Sequence, residues 1–150
     1  LAMSIWFTQI TAEKLNAYAA SSMPGYLGIE FTEIGRDYLR ARMPVDQRTI
    51  QPTGILHGGA SVVLAETLGS VGAFLCIDPA QKTCVGIEIN ANHVRPVQEG
   101  YVIGTAKPVH LGTSTQIWEI RIANEQDKLV CISRLTLAIL DKGKLDDTRS

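Results

Sequence analysis

By hydrophobic pattern the chain divides into one long apolar stretch without alternation and six stretches that alternate or are rich in β-branched residues. The apolar stretch covers residues 58–77, in which Glu66 is the only charged side chain. It is too long for an ordinary strand and is apolar or small on nearly every side, which predicts a buried helix over about residues 58–77. Asp78-Pro79 supplies its stop. Residues 28–34, 38–43, 84–94, 101–109, 115–123 and 130–140 read as strands, separated by turn formers such as Gly35-Arg36-Asp37 and Leu111-Gly112. Ahead of them, residues 11–20 have helical composition with Leu15 and Tyr18 three apart, and Met23-Pro24-Gly25 ends that segment.

Six strands with one long helix after the second predict an α+β domain, because helices and strands do not alternate as a parallel sheet requires. A helix apolar on most faces needs cover on more than one side. A single antiparallel sheet curved around it provides this, with the sheet edge or the remaining helix face covered by a second subunit. Leu1-Ala2 ahead of Met3 reads as a cloning remnant, so the expected organisation is an N-terminal segment 1–10, one domain over 11–140 and a polar tail 141–150.

Composition narrows the class. With 150 residues, 45% hydrophobic and 19% charged, the chain suits one globular domain with a full core. A net charge of -1 and the lack of Lys/Arg runs give no general attraction to nucleic acid or an anionic membrane. Cys76, Cys84 and Cys131 are odd in number and not at metal-ligand spacings, and no signal stretch opens the chain; the expected compartment is a reducing cytoplasm.

The lone carboxylate is the first candidate for chemistry. Burial raises a carboxyl pKa and makes the poised acid or base that active sites use; a Glu on a wet stripe of a half-exposed helix is the plain alternative. Ser70, four residues on, shares the helix face of Glu66, where it can touch that carboxylate or simply permit close packing. His57, just before the helix, can act on a ligand or serve as a cap. His93 and Arg95 are two apart and share a face if their strand stays regular. His57, His93 and His110 lie on three separate elements without metal-ligand spacing, so neither a metal nor a cofactor is expected. There is no Gly-x-Ser-x-Gly elbow, and Gly54 to Gly59 lacks the ending of a nucleotide P-loop.

The stretch Gln51-Pro52-Thr53-Gly54-Ile55-Leu56-His57-Gly58-Gly59-Ala60-Ser61-Val62-Val63-Leu64-Ala65-Glu66-Thr67 resembles hotdog-fold acyl-CoA thioesterases of the PaaI and 4-hydroxybenzoyl-CoA thioesterase type. Gly86-Ile87-Glu88-Ile89-Asn90-Ala91-Asn92-His93-Val94-Arg95 and His110-Leu111-Gly112 look like the bacterial enzymes that hydrolyse 1,4-dihydroxy-2-naphthoyl-CoA in menaquinone synthesis and their paralogue in enterobactin synthesis. The resemblance implies a hotdog fold, an acyl-CoA substrate and a homotetramer built as a dimer of dimers. It makes Glu66 the nucleophile or general base and the Gly58 N–H, at the helix start, the oxyanion donor. Gln51 would help hold the carbonyl oxygen or the attacking water, with the departing thiolate near His57 or Ser70. Gly86, Asn90, His93, Val94, Arg95, Pro96 and the turn His110, Leu111, Gly112, Thr113 and Ser114 would contact the CoA ester, Arg95 as the main phosphate partner. Lys107 and Arg134 are weaker phosphate candidates. Release of misloaded aryl groups from an acyl or aryl carrier protein, dehydration of a 3-hydroxyacyl thioester and noncatalytic acyl-CoA sensing are the rival readings.

Overall fold

The computed structural model describes residues 3–145. Two short helices, α1 (Ala12–Ala19) and α2 (Met23–Tyr26), precede β1 (Glu30–Ile34) and β2 (Leu39–Pro44). The long helix α3 (Gly58–Leu75) follows, then β3 (Lys82–His93), β4 (Tyr101–Leu111), β5 (Thr115–Asn124), β6 (Leu129–Asp141) and the short α4 (Lys142–Leu145). Thr11 caps α1 by accepting the Lys14 N–H at 3.3 Å. Leu15 is buried while Tyr18 points to water. Met23-Pro24-Gly25, expected as a stop, instead begins one helical turn, because a first-turn proline needs no N–H partner. Of the expected tail, residues 146–150 lie outside the described residues.

The strands form one antiparallel sheet in the order β1-β2-β4-β5-β6-β3. Alternation decides which side chains meet α3: Val102, Gly104 and Ala106 of β4, Trp118, Ile120 and Ile122 of β5, and Leu135 and Leu137 of β6 are buried. The helix answers with Leu64, Ala65, Leu68 and Ala73, all fully buried. Small residues set the spacing. A methyl carbon on Gly72 would lie 2.8 Å from Trp118, and one on Gly104 would lie 2.6 Å from Leu68, so either would lift the helix off the sheet. The segment ahead of α1 joins this core: the Trp6 ring stacks at 6.1 Å on Trp118, and its Nε1–H bonds to the Gly35 carbonyl at 2.6 Å.

The two edges of the sheet are finished differently. Along β1, the Asn16 side chain takes the place of a neighbouring strand: its amide donates to the Phe31 carbonyl at 3.0 Å, and its oxygen accepts the Phe31 N–H at 2.7 Å. Along β3, eleven of the twelve residues pair with β6, no strand among the described residues pairs on the other side, and Val85 and Ile87 are 45% and 62% exposed. Between Gly86 and Glu88 this strand carries a bulge.

Candidate active site

Three groups of the expected residues occupy successive levels along α3. At its N-terminal end, the loop before the helix is pinned by its own backbone. The Gln51 N–H bonds to the Ile55 carbonyl and the Gly54 N–H to the Gln51 carbonyl, each at 2.8 Å, and Gly54 takes a positive φ of 85° to close the turn. The His57 N–H bonds to the Thr49 carbonyl at 2.8 Å. His57 is the N-cap of α3: its Nδ1 accepts the Gly59 N–H at 2.8 Å. A nitrogen that accepts carries no proton, so the neutral ring holds its hydrogen on Nε2, the atom turned away from the helix.

Beside this turn lies an open cavity of about 460 Å³, lined by Gln51, Ile55, Leu56, Gly58, Ser61, His93, Val94, Arg95, Pro96 and Val130. Gly58 leaves room for the His93 ring, whose Nε2 would lie 2.9 Å from a methyl carbon placed there. The Gly58 N–H, the first of α3, therefore opens beside an imidazole in the field of the helix dipole, while the Gly59, Ala60 and Ser61 N–H groups are taken by His57. Strand β3 ends at His93, ahead of Arg95-Pro96, so the regular strand expected to align His93 with Arg95 does not continue. The exposed Arg95 guanidinium instead donates from Nε to the Leu129 carbonyl at 3.3 Å, at the rim of the same cavity. Ser61 had drawn no attention in the sequence. It is buried, and its spacing of three from Gly58, one turn along a helix, is the signal that places it on the cavity side.

The second group is Glu66, Ser70 and Gly86. Glu66 is half-buried, and burial alone pushes its carboxyl above the ordinary 4.5. Its Oε1 rests on the backbone of Gly86, where a methyl carbon would lie 2.5 Å away. Ser70 follows one turn later, also half-buried. Asn90 is not part of this group: Ile89 and Ala91 pack toward the core, while the Asn90 amide lies at 3.2 Å from Glu88 Oε1.

Of the third group, His110 and Leu111, expected in a turn, are the last residues of β4, and residues 112–114 make the turn to β5, closed by the Gly112 N–H on the Thr115 carbonyl at 2.9 Å. It stands at the opposite end of α3 from Gly58: Leu111, Gly112 and Thr113 line a cavity of about 330 Å³ together with Cys76 and Ile77, just past the helix. Cys76 is pushed up to about 12, chiefly by burial and secondarily by Cys84, and is no ready nucleophile.

Spacing then decides what one chain can do alone. Gly58 and Glu66 are eight residues apart on one helix, about 12 Å along its axis at ~1.5 Å per residue. One thioester carbonyl needs its oxyanion donor within hydrogen-bond distance and its nucleophile in contact on another side. The Gly58 N–H and the Glu66 carboxylate of a single chain therefore cannot both reach one carbonyl, and they stand as two candidate half-sites.

One long helix wrapped by a six-stranded antiparallel sheet is the hotdog fold, and the half-buried carboxylate on that helix is its candidate reactive group. The chain belongs to the thioesterase superfamily, whose profile matches residues 53–131, and is a thioester hydrolase. It is 57% identical to the 1,4-dihydroxy-2-naphthoyl-CoA hydrolase of Escherichia coli K12, over 91% of this chain and 99% of that one. It is 49% identical to the proofreading thioesterase EntH of Cronobacter turicensis, over 91% and 98%. A crystal structure of a thioesterase from Haemophilus influenzae superposes with a TM-score of 0.89 at 49% identity, covering 91% of this chain and 95% of that one.

Proposed function

We propose that the chain hydrolyses an aromatic acyl-CoA, foremost 1,4-dihydroxy-2-naphthoyl-CoA, to the free acid and CoA in the cytoplasm. The observation that carries this reading is the 57% identity to the naphthoyl-CoA hydrolase, together with a half-buried Glu66 of raised pKa. The acyl carbonyl oxygen accepts the Gly58 N–H and contacts Gln51. The Glu66 carboxylate then either attacks the carbonyl carbon, giving a mixed anhydride and CoA thiolate, or takes a proton from the water that attacks. The Nε2–H of His57 and the Ser70 hydroxyl are the donors for the departing sulfur.

The 12 Å between the half-sites supports a site shared between two copies. The open β3 edge supports the way they join: a second copy adds its own β3 antiparallel to the first, bringing its Glu66 toward the partner's Gly58. Two such dimers make the tetramer. In this arrangement the His110 to Ser114 turn and Arg95 hold the CoA moiety of the ester.

The 49% identity to proofreading thioesterases supports a second reading, release of misloaded aryl groups from a carrier protein. Thiol release from benzoyl-CoA, 1,4-dihydroxy-2-naphthoyl-CoA, a medium-chain acyl-CoA and an aryl carrier protein, with wild type beside Glu66→Gln, tests both. Fast aryl-CoA turnover that drops about 100- to 10,000-fold in the variant is the expected result. Preference for the carrier-bound ester selects the second reading, and a fully active Glu66→Gln variant removes the mechanism.

A further inference from the structure

Gly86 is a glycine for which the backbone gives no reason. Its φ lies outside the left-handed region, which among the described glycines only Gly28, Gly54 and Gly100 occupy. A strand position of this kind ordinarily favours a side chain, since glycine weakens a strand. What excludes a side chain is Glu66: a methyl carbon at Gly86 would stand 2.5 Å from Oε1 and 3.5 Å from Cδ, with Leu135 Cδ1 at 3.6 Å on the other side.

The bulge is what turns Gly86 to this task. In a regular strand, residues 86 and 89 point to opposite faces. Here β6 residues Leu137 and Thr136, adjacent in sequence, pair with Gly86 and Glu88, so Ile87 is the extra residue and the faces exchange. Gly86 therefore looks toward α3 with Ile89 and Ala91, both packed against the core. A small residue and an inserted residue together open a shelf on the strand, and the carboxylate of Glu66 lies on it.

We infer that Gly86 is a positioning residue for the hydrolysis proposed above: its missing side chain, turned inward by the bulge, fixes where the Glu66 carboxylate stands. The inference rests on the thioesterase reading for its effect on turnover and on geometry alone for its effect on Glu66. The neighbour that a methyl group would displace is the free end of a flexible side chain, so Gly86→Ala moves the carboxylate and leaves the fold intact. Such a displacement, on the order of 1 Å or more, costs about 100-fold in rate.

On the shelf the carboxylate is half-buried. Among the described residues facing Glu66, α3 offers no other charged group, β6 offers Leu135, and β3 offers Gly86; burial is the cause of the raised pKa. A carboxylate pushed off the shelf into water titrates at lower pH.

The test uses the full chain with Gly86→Ala, read by thermal melting, by steady-state kinetics on an aryl-CoA across pH, and by NMR titration of carbon-13-labelled glutamate carboxyls assigned with Glu66→Gln. The expected result is an unchanged or slightly raised melting temperature, kcat down about 100-fold with KM within about twofold, and a Glu66 titration and acid limb moved to lower pH. A folded Gly86→Ala with wild-type kcat and an unmoved Glu66 titration overturns the inference. So does a variant in which KM rises while kcat and the titration hold, since the methyl group then meets the substrate and not Glu66. Failure of the thioesterase reading looks different: the wild type releases no thiol from any ester, while the Glu66 titration still shifts in Gly86→Ala and the shelf stands.

Discussion

The β1 and β3 edges belong to one sheet and face opposite demands. At β1 the chain spends a side chain on closure: both polar groups of Phe31 that point outward are taken by Asn16, held there by a capped helix. At β3 a strand more than twice as long, with Val85 and Ile87 exposed, carries no such plug. Open strand edges invite pairing with another chain, and proteins that must stay apart blunt them. In the proposed assembly, a closed short edge and an open long one leave one direction for a second copy to add. The open strand is also the one that holds Gly86 under Glu66 and ends at His93 beside Gly58, so this edge runs past both candidate half-sites.

The largest effect is expected from spoiling the open edge. Ile87→Asp places a charge where a second β3 would lie, at a residue already exposed and outside the β3–β6 pairing. The fold should persist. Light scattering should report a monomer, and aryl-CoA turnover should fall about 100-fold or more, because each chain then holds half of what one carbonyl needs. A fully active monomer at assay concentration would end the shared-site account.

At the closed edge the effect is on stability and solubility. Asn16→Ala leaves the outward N–H and carbonyl of Phe31 without their partners, a loss of about 1–3 kcal/mol. The melting temperature should drop, and larger species should appear at high concentration, while turnover per folded chain stays near wild type. Equal melting curves for wild type and variant would show that water replaces Asn16 without cost.

Much of this comparison was not legible in the sequence. Alternation marked the six strands to within a few residues, and the long apolar run marked α3, because burial of one sheet face imposes a period of two and enclosure of a helix removes its polar stripe. The edge plug left no such trace, since one Asn in a short helix looks like any surface residue. The β3 bulge hid as well: it reverses which residues share a face, so Gly86 shares the core-facing side with Ile89 while Asn90 turns outward. Residue types in the site could be read from Gln51 to Ser70. Their distribution over levels of α3 follows from helix rise and became plain once the helix start was fixed at Gly58.

On stability, Glu66 gives a smaller effect with a defined sign. Its carboxyl is raised above 4.5 by burial, so the fold favours the protonated form. That contribution is complete below the unfolded value near 4.5 and is lost as pH rises through the folded value. Glu66→Gln should therefore melt at the same temperature as wild type in acid and at a higher one near neutrality, while its turnover collapses. A variant no more stable than wild type at neutral pH would mean that assembly at the open edge supplies the ionised carboxylate with compensation.

The smallest effect is expected at His57, where α3 begins beside the last residue of the open strand. One observed contact and one proposed role meet in that ring. Its Nδ1 caps the helix through the Gly59 N–H, and removal in His57→Ala should cost about 1 kcal/mol. Its Nε2–H is the donor proposed for the thioester sulfur. Asn at this position can accept the same N–H and lacks an imidazole, so His57→Asn separates the two. If the ring acts on the ester, His57→Asn keeps the wild-type melting temperature and loses turnover as His57→Ala does. If both stability and turnover return with Asn, capping is the whole of its contribution, and the leaving thiolate must take its proton from Ser70 or water.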